Sequence, residues 1–241
     1  MKSINPYVGP RDRMVLEQLA ARGVSDPRVL DAMRHVAREA FVPEELRQAA
    51  YSDQPLPIGE GQTISQPYIV AAMAEALGLR GDENVLEIGT GSGYDAAVLA
   101  HIARAVHTIE RIPSLARRAR ETLRRLGYGS VEVIEGDGSV GWRPSAPYDA
   151  IVATAEAPRI PPSLRAQLRP GGRLVMPVAD PSCGQALVRM IRGDNGHDRV
   201  ESILPVRFVP LIGIEGWPDD RASSGQTREG EGLHRPFEGH R

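Results

Sequence analysis

Cysteine is nearly missing from this sequence. Cys183 stands alone among 241 residues, which excludes an intramolecular disulfide and a cysteine-rich zinc site. Neither sign of charge is in excess. Lys and Arg total 29 against 31 Asp and Glu, a formal net charge of −2, so nothing argues for wholesale attraction to nucleic acid or a membrane surface. No apolar run is long enough to span a bilayer. The opening Met1-Lys2-Ser3-Ile4-Asn5-Pro6 lacks the apolar core of a secretory signal. The six histidines, His35, His101, His107, His197, His234 and His240, include no pair at metal-ligand spacing along the chain, so no metal is expected. These absences point to a protein of a reducing compartment, expected in the cytoplasm. Nothing indicates a nucleic-acid or membrane partner, and a monomer is the default expectation.

What is present is an α/β pattern. At 41% hydrophobic content the chain suits one sizeable domain with small appendages. Residues 1–13 look like a loose, flexible arm. Helical periodicity begins near Asp12 through Met14, Leu16 and Leu19, and Ser25-Asp26-Pro27 caps a second helix through Val29, Leu30, Met33 and Val36. Another short helix opens at Pro43. These helices precede any strand and are expected to cover the sheet. Tyr51 to Gln66 has no clear period and is rich in Pro and Gly, the kind of long irregular segment that is often functional. From Gly81 onward strands and helices alternate, which implies a doubly wound, mostly parallel Rossmann-like sheet with its ligand at the carboxyl ends of the strands. Leu187–Ile191 and Ile203–Val209 are expected to finish it. The expected division is therefore a 14–218 domain, made of a helical cover and substrate loop (14–80) and a core (81–218), with a disordered, polar, Gly-rich tail over 219–241.

The most informative stretch is Val85-Leu86-Glu87-Ile88-Gly89-Thr90-Gly91-Ser92-Gly93-Tyr94, an apolar strand that breaks into alternating glycines and enters a helix. Glycines at such a turn let the backbone approach a ligand closely. The G-x-G-x-G spacing differs from the G-x-G-x-x-G of dinucleotide folds. That difference favours a nucleoside without a pyrophosphate, S-adenosylmethionine above all, and disfavours a nicotinamide dehydrogenase. Glu110 ends the next strand, nineteen residues beyond Gly91, where an acid accepts from both ribose hydroxyls or else pairs with Arg111. Gly136-Asp137-Gly138 follows the third strand; Asp137 either accepts from the adenine amino group or belongs to a plain turn. Glu87 reaches the aminoacyl end of the ligand or orients the glycine loop.

With those residues the chain closely resembles the protein-L-isoaspartate O-methyltransferases, S-adenosylmethionine-dependent repair enzymes. The resemblance runs from about Asp12 to Gly213. Its blocks are Phe41-Val42-Pro43-Glu44, Leu56-Pro57-Ile58-Gly59, Gln62-Thr63-Ile64-Ser65-Gln66-Pro67, the glycine motif with Tyr94, Ile109-Glu110-Arg111, Gly136-Asp137-Gly138, Ala146–Ile151, Pro170–Leu174 and Val206–Leu211. The glycine motif marks the superfamily. The Thr63-Ile64-Ser65 and Arg207–Leu211 blocks are specific to the family. Three departures stand out: Asp95 replaces a glutamine usual after the tyrosine, Glu156 interrupts a small-residue run before Ala157-Pro158, and Ile212 stands where threonine is usual.

The resemblance implies methyl transfer to the free α-carboxylate of isoaspartyl residues in damaged proteins and peptides. Such a carboxyl group has a pKa of roughly 4 or below and is already an anion at neutral pH, while the sulfonium is an activated electrophile. No general base, nucleophile or metal is then required, and catalysis reduces to alignment and electrostatic placement. The cofactor set implied is Glu87, Gly89, Thr90, Gly91, Gly93, Tyr94, Glu110, Asp137 and Gly138. Ser65 is implied as the active-site serine, a donor to the acceptor carboxylate; Ser65-Gln66-Pro67 is also a plausible helix N-cap, and both roles can hold. Gln62, Thr63, Ile64, Val209 and Leu211 are expected to line the acceptor side, where an extended peptide fits. The basic run Arg117, Arg118, Arg120, Arg124 and Arg125 is expected to be a solvated helix face. Two other functions stay open: a relative that methylates an aspartate side chain of a dedicated peptide, motivated by Glu156 and Ile212, and a non-catalytic S-adenosylmethionine-binding module.

Overall fold

The computed structural model describes residues 6–194 and 197–219. The chain opens with α1 (Val8–Arg13), which continues through a wide π turn over Met14–Leu19 and a tight turn over Ala20–Arg22 to Gly23, at φ 96°. The expected loose arm over 1–13 is therefore corrected from Val8 onward; residues 1–5 lie outside the described residues. Arg11 fastens this helix. Its Nε donates to the Tyr51 hydroxyl at 2.8 Å, Nη2 to the Glu39 carboxylate at 3.1 Å, and Nη1 to the carbonyl oxygens of Arg34 and His35. An anchor made of one cation and polar acceptors leaves no apolar period to read.

Helix α2 (Pro27–His35) starts as expected, with the Asp26 carboxylate accepting the Arg28 N–H at 2.8 Å and Pro27 in the first turn. Single turns follow over Arg38–Ala40 and Glu44–Ala49. The segment expected to be irregular holds a small hairpin, β1 (Leu56–Gly59) against β2 (Gln62–Ile64), around Glu60 and Gly61, both at positive φ. Leu56 and Ile58 face inward and Pro57 and Gly59 outward. Strands this short, with Pro and Gly inside them, hide the alternation that marks a strand.

After α3 (Pro67–Leu77) the chain alternates β3 (Asn84–Ile88), α4 (Tyr94–Ile102), β4 (Ala105–Glu110), α5 (Pro113–Arg125), β5 (Glu132–Glu135), β6 (Tyr148–Ala153), α6 (Pro162–Gln167), β7 (Leu168–Asp180), β8 (Gly184–Ile191) and β9 (Arg199–Pro205). The seven strands β3–β9 lie in the order β5-β4-β3-β6-β7-β8-β9. Pairs from β5 to β7 are parallel, and β7–β8 and β8–β9 are antiparallel. The chain therefore leaves β3 toward one edge and returns at β6 on its other side, so a crevice opens at the carboxyl end of β3, as expected for a doubly wound sheet. The last strand ends at Pro205, short of the expected Val209, and residues 206–209 leave the sheet for the crevice. Asn195 and Gly196 lie outside the described residues.

The central strands β3, β4 and β6 are buried on both faces, and the two-residue period sorts the core into two clusters. Val85, Val106, Val133, Val152 and Val175 meet the helical cover and α3–α5. Leu86, Ile88, Ile109, Ile151, Leu174 and Met176 pack with Leu164 of α6 and with Leu211. Of the expected tail, Asp219 accepts from Arg111 at 2.6 Å; 220–241 lie outside the described residues.

Candidate active site

A cavity of about 430 Å³ sits at the carboxyl ends of β3, β4 and β6 and is roofed by the β1–β2 hairpin. That size suits a nucleoside-type ligand. On one side it is lined by Gly89, Thr90, Gly91, Ile109, Glu110, Arg111, Ile112 and Gly138; on the other by Gln62, Thr63, Ile64, Ser65, Val209, Pro210, Leu211 and Ile212. The structure thus brings the sequence-derived cofactor and acceptor residues to one space, with four exceptions described below.

Glu110 organises the cofactor side. Its Oε2 accepts the Gly91 N–H at 2.9 Å and its Oε1 the Ile112 N–H at 2.9 Å. The carboxylate is 5% exposed and still lines the cavity. Each oxygen keeps a lone pair for a ligand diol. Arg111, offered by the sequence as its alternative partner, turns instead to Asp219. Gly89 stands at φ 94°, and a Cβ there would strike the Thr154 hydroxyl. A Cβ on Gly138 would meet Ile88 Cγ2 at 2.5 Å. At both positions neighbouring side chains of the protein leave no space for a Cβ, so the packing around the loop requires glycine there.

Four expected cofactor residues do not line the cavity. The Tyr94 side chain is wholly buried, with its hydroxyl 3.5 Å from Met33 Sδ and its ring edge-on to Phe41 at 5.6 Å. The first turn of α4 aims it into the cover. Gly93, at φ 88°, begins α4 against Leu123 and Ala119; it serves packing. Asp137 caps its own turn, accepting from Ser139 N at 2.8 Å, and also takes Ile214 N at 2.8 Å, because residues 211–217 fold back across it. Asp137 does not line the cavity, while its neighbour Gly138 does. Glu87 is fully buried beneath the loop, where Thr108 Oγ1 donates to Oε2 at 2.5 Å and Oε1 has no partner. Burial, with Asp95 and Glu110 nearby, holds this carboxyl well above the usual range, and the Thr108 hydroxyl that bonds it also lies 2.7 Å from the Thr90 hydroxyl of the loop.

On the acceptor side, the cap of α3 falls on Gln66, with no side-chain cap bond. Ser65 is therefore not the cap, and it lines the cavity. Its carbonyl accepts Arg38 Nη2 at 2.7 Å. The hairpin is held over the site by Arg118 Nη2 on the Ile58 carbonyl at 2.7 Å and by Ser114 Oγ on Glu60 at 2.6 Å. So one of the basic residues expected to be solvated, Arg118, secures the roof.

Sequence reasoning missed Asp95 and Thr154 as cavity residues and Arg38 as the support of the Ser65 edge. Asp95 was visible only as a departure from a family pattern. Arg38 gave no signal, since one arginine among polar neighbours marks no face. The histidines likewise looked dispersed, yet His35 and His101 stack at 5.0 Å and share Asp31. Their ligand atoms and Asp31's lie within 4.8 Å of one another, exposed on the far ends of α2 and α4. The near-parallel rings, inclined 18°, direct their in-plane lone pairs side by side rather than toward one ion.

Residues 11–216 match the family described as protein-L-isoaspartate(D-aspartate) O-methyltransferase. The chain belongs to this family. It is 59% identical over 225 residues to protein-L-isoaspartate O-methyltransferase 1 of Rhodopseudomonas palustris strain HaA2, covering 92% of each chain. It is 58% identical over 207 residues to protein-L-isoaspartate O-methyltransferase 2 of Pelobacter propionicus, covering 86% of this chain and 92% of that one. A solved protein-L-isoaspartate O-methyltransferase superposes with a TM-score of 0.77 at 30% identity, over 86% of this chain and 67% of that chain. A Plasmodium falciparum structure determined with S-adenosyl-L-homocysteine, 23% identical, shares the fold with a TM-score of 0.71 over 84% of this chain and 98% of that one. Of the family departures, Glu156 turns its carboxylate to Trp217 Nε1 at 2.8 Å, and Ile212 lines the cavity.

Proposed function

We propose that this chain transfers a methyl group from S-adenosylmethionine to the free α-carboxylate of L-isoaspartyl residues in damaged proteins and peptides. The observation that carries the reading is the meeting, in one cavity, of the Glu110-organised glycine loop with the Gln62–Ser65 edge. Bound S-adenosylmethionine would supply a methyl carried on a sulfonium; the acceptor oxygen bonds to that carbon as the sulfur–carbon bond breaks, leaving a neutral thioether. The chain's own residues bind and align. Glu110 holds the ribose diol. The backbone at Gly89 and Gly91, with Thr90 and Gly138, encloses the nucleoside.

Ser65 donates its hydroxyl to one oxygen of the acceptor and holds the other toward the methyl. Gln62, Thr63 and Ile64 border the peptide on one side, and Val209 and Leu211 on the other. The acceptor is already ionised at neutral pH, so no residue has to remove a proton, and the gain comes from alignment in a space closed to water. In the resulting ester the acyl carbon carries methoxide, a better leaving group than the oxide of the ionised acid. The following backbone nitrogen attacks that carbon and methanol leaves, closing a succinimide without the enzyme; its hydrolysis returns part of the chain to normal aspartate. The enzyme acts as a monomer in the cytoplasm in this reading, without nucleic acid; its one cysteine, Cys183, is free and exposed.

A dedicated aspartyl peptide as acceptor was motivated by Glu156 and Ile212. Glu156 spends its carboxylate on Trp217, which leaves Ile212 as the sole departure of that pair facing the cavity. The test is methyl transfer from labelled cofactor to two matched peptides, one with isoaspartate and one with aspartate. Turnover confined to the isoaspartyl peptide supports the proposal. Tight cofactor binding with no turnover on either peptide would overturn it in favour of a dedicated acceptor or a binding module.

A further inference from the structure

Arg38 belongs to the helical cover and is one of the largest fully buried side chains in the protein. Burying a guanidinium is costly unless its charge and its donors are answered. Two of its donors are answered by backbone. Nε donates to the Ala50 carbonyl at 2.7 Å and Nη2 to the Ser65 carbonyl at 2.7 Å. Ala50 and Ser65 flank the segment that carries the β1–β2 hairpin, so a single planar fork ties both ends of the cavity roof. The guanidinium lies 4.9 Å from the centre of the Tyr94 ring. Nη1 is buried against the Tyr94 side and meets no geometric hydrogen-bond acceptor among the described residues.

The charge of Arg38 is answered across the interface with α4. Asp95 in the first turn of α4 is half-buried and lines the cavity. Burial pushes its carboxyl up to about 6, and Arg38 is the cation that pulls it down. Glu87 of β3 faces Asp95 from below, with Glu110 of β4 beyond it, and Tyr94 adjoins it on α4. Arg38 bonds the Ser65 carbonyl and lies over the ring of Tyr94, the residue before Asp95, and Ser65 and Asp95 line the same cavity. A methyl destined for an acceptor beside Ser65 is carried on a cation, and a carboxylate is the side chain suited to face it.

We propose that Arg38 is the positioning residue of this active site: its fork fixes the Ser65 backbone, and with it the acceptor-side hydroxyl, while its charge sets Asp95 against the sulfonium. This inference rests on the methyl-transfer reading given above. A fork of two parallel donors is a geometry that lysine cannot reproduce, which separates the two halves of the role experimentally.

The experiment compares wild type, Arg38→Met, Arg38→Lys and Asp95→Asn by thermal melting, by binding of S-adenosylmethionine and S-adenosylhomocysteine between pH 5 and 8.5, and by kcat and KM with an isoaspartyl peptide. In wild type, S-adenosylmethionine affinity falls as pH drops through about 6, because protonated Asp95 no longer offsets the sulfonium; S-adenosylhomocysteine, which lacks that charge, shows a flatter profile. Arg38→Met moves this acid limb to higher pH and lowers kcat by about 10–100-fold, the scale expected for a misaligned reactant. Arg38→Lys leaves the limb in place and still lowers kcat. Asp95→Asn abolishes the limb. Should Arg38→Met fail to fold, Arg38→Lys and Asp95→Asn carry the test alone. A merely structural Arg38 would lower the melting temperature while leaving kcat per folded molecule and the acid limb unchanged, and that result overturns the proposal. Failure of wild type to methylate any isoaspartyl peptide would count against the function instead; the binding profiles need no peptide.

Discussion

The two walls of the cavity are built by different physics. The cofactor wall hangs from a parallel sheet whose strands β3, β4 and β6 are buried on both faces, with the loop geometry set by backbone hydrogen bonds: Gly89 N to the Ile109 carbonyl at 2.8 Å, and Gly91 N to Glu110. The acceptor wall hangs from a cover with little regular structure. Its parts are tied by long-range polar contacts of Arg11, Arg38, Glu39 and Tyr51. Periodic apolar packing leaves a trace in any one sequence, whereas a single arginine bonded to carbonyl groups leaves none. The comparison also implies that the walls can be damaged separately, one through cofactor affinity and the other through turnover or stability.

The largest effect is expected at the residue that joins loop and ligand. Glu110→Ala removes the acceptor of two backbone N–H groups as well as the proposed ribose contact. Hydrogen bonds to a charged group contribute about 1.5–3 kcal/mol each. Cofactor affinity should fall by at least about 100-fold, with tenfold corresponding to 1.4 kcal/mol. Calorimetric titration with S-adenosylhomocysteine measures this directly. A loss under about fivefold would mean that the loop keeps its shape without the carboxylate.

Ser65→Ala should act on the other wall. Since Gln66 holds the cap position of α3, removing the hydroxyl should leave the melting temperature within about 1–2 °C of wild type, far from the shift that loss of a cap produces. Cofactor binding should also be unchanged. Turnover on the isoaspartyl peptide should drop by about 10–100-fold, the scale of one misplaced reacting group. A stability loss without a change in kcat would return Ser65 to a structural role.

The alternation of strands and helices and the glycine loop were legible because their causes are local. A run of apolar residues, a glycine and a following helix are determined within about ten residues of one another. Glu110 was legible for the same reason, at the end of its own strand. Asp137 shows what a local reading leaves out: Ile214, 77 residues on, donates to one of its oxygens. For Tyr94 the motif fixes the place in the chain, while the first turn of α4 decides where the ring points. The hairpin over 56–64 was hidden by Pro57, Gly59 and Gly61, which break the alternation. The docked Val8–Arg13 helix was hidden because Arg11, rather than a buried apolar residue, secures it.

That contrast predicts a stability effect confined to the cover. Arg11→Ala removes the donors to Tyr51, Glu39 and two carbonyls, and leaves the Glu39 carboxylate, 8% exposed, beside Tyr51 with its counter-charge gone. The cost is expected at about 1–3 kcal/mol, as for a half-buried charged network losing one partner. Hydrogen exchange should rise in α1 and α2 and remain slow in β3, β4 and β6. Uniformly faster exchange across the sheet would show that cover and core unfold as one unit.

The smallest effect is expected where the walls meet. Backbone bonds from Glu156 N to the Val209 carbonyl at 2.8 Å and from Leu211 N to the Glu156 carbonyl at 2.6 Å hold the 209–211 edge. The Glu156 carboxylate adds only the contact to Trp217 Nε1. Glu156→Ala leaves the backbone bonds in place and removes that side-chain acceptor, at a cost of about 1 kcal/mol. The indole emission should shift as Trp217 gains solvent, with Trp142 as the constant background. Peptide KM should rise no more than about threefold, since the carboxylate faces the indole and the acceptor meets the backbone edge. A switch of preference from the isoaspartyl to the aspartyl peptide would instead make Glu156 a selectivity residue, and would place the acceptor on the Trp217 side of the crevice rather than beside Ser65.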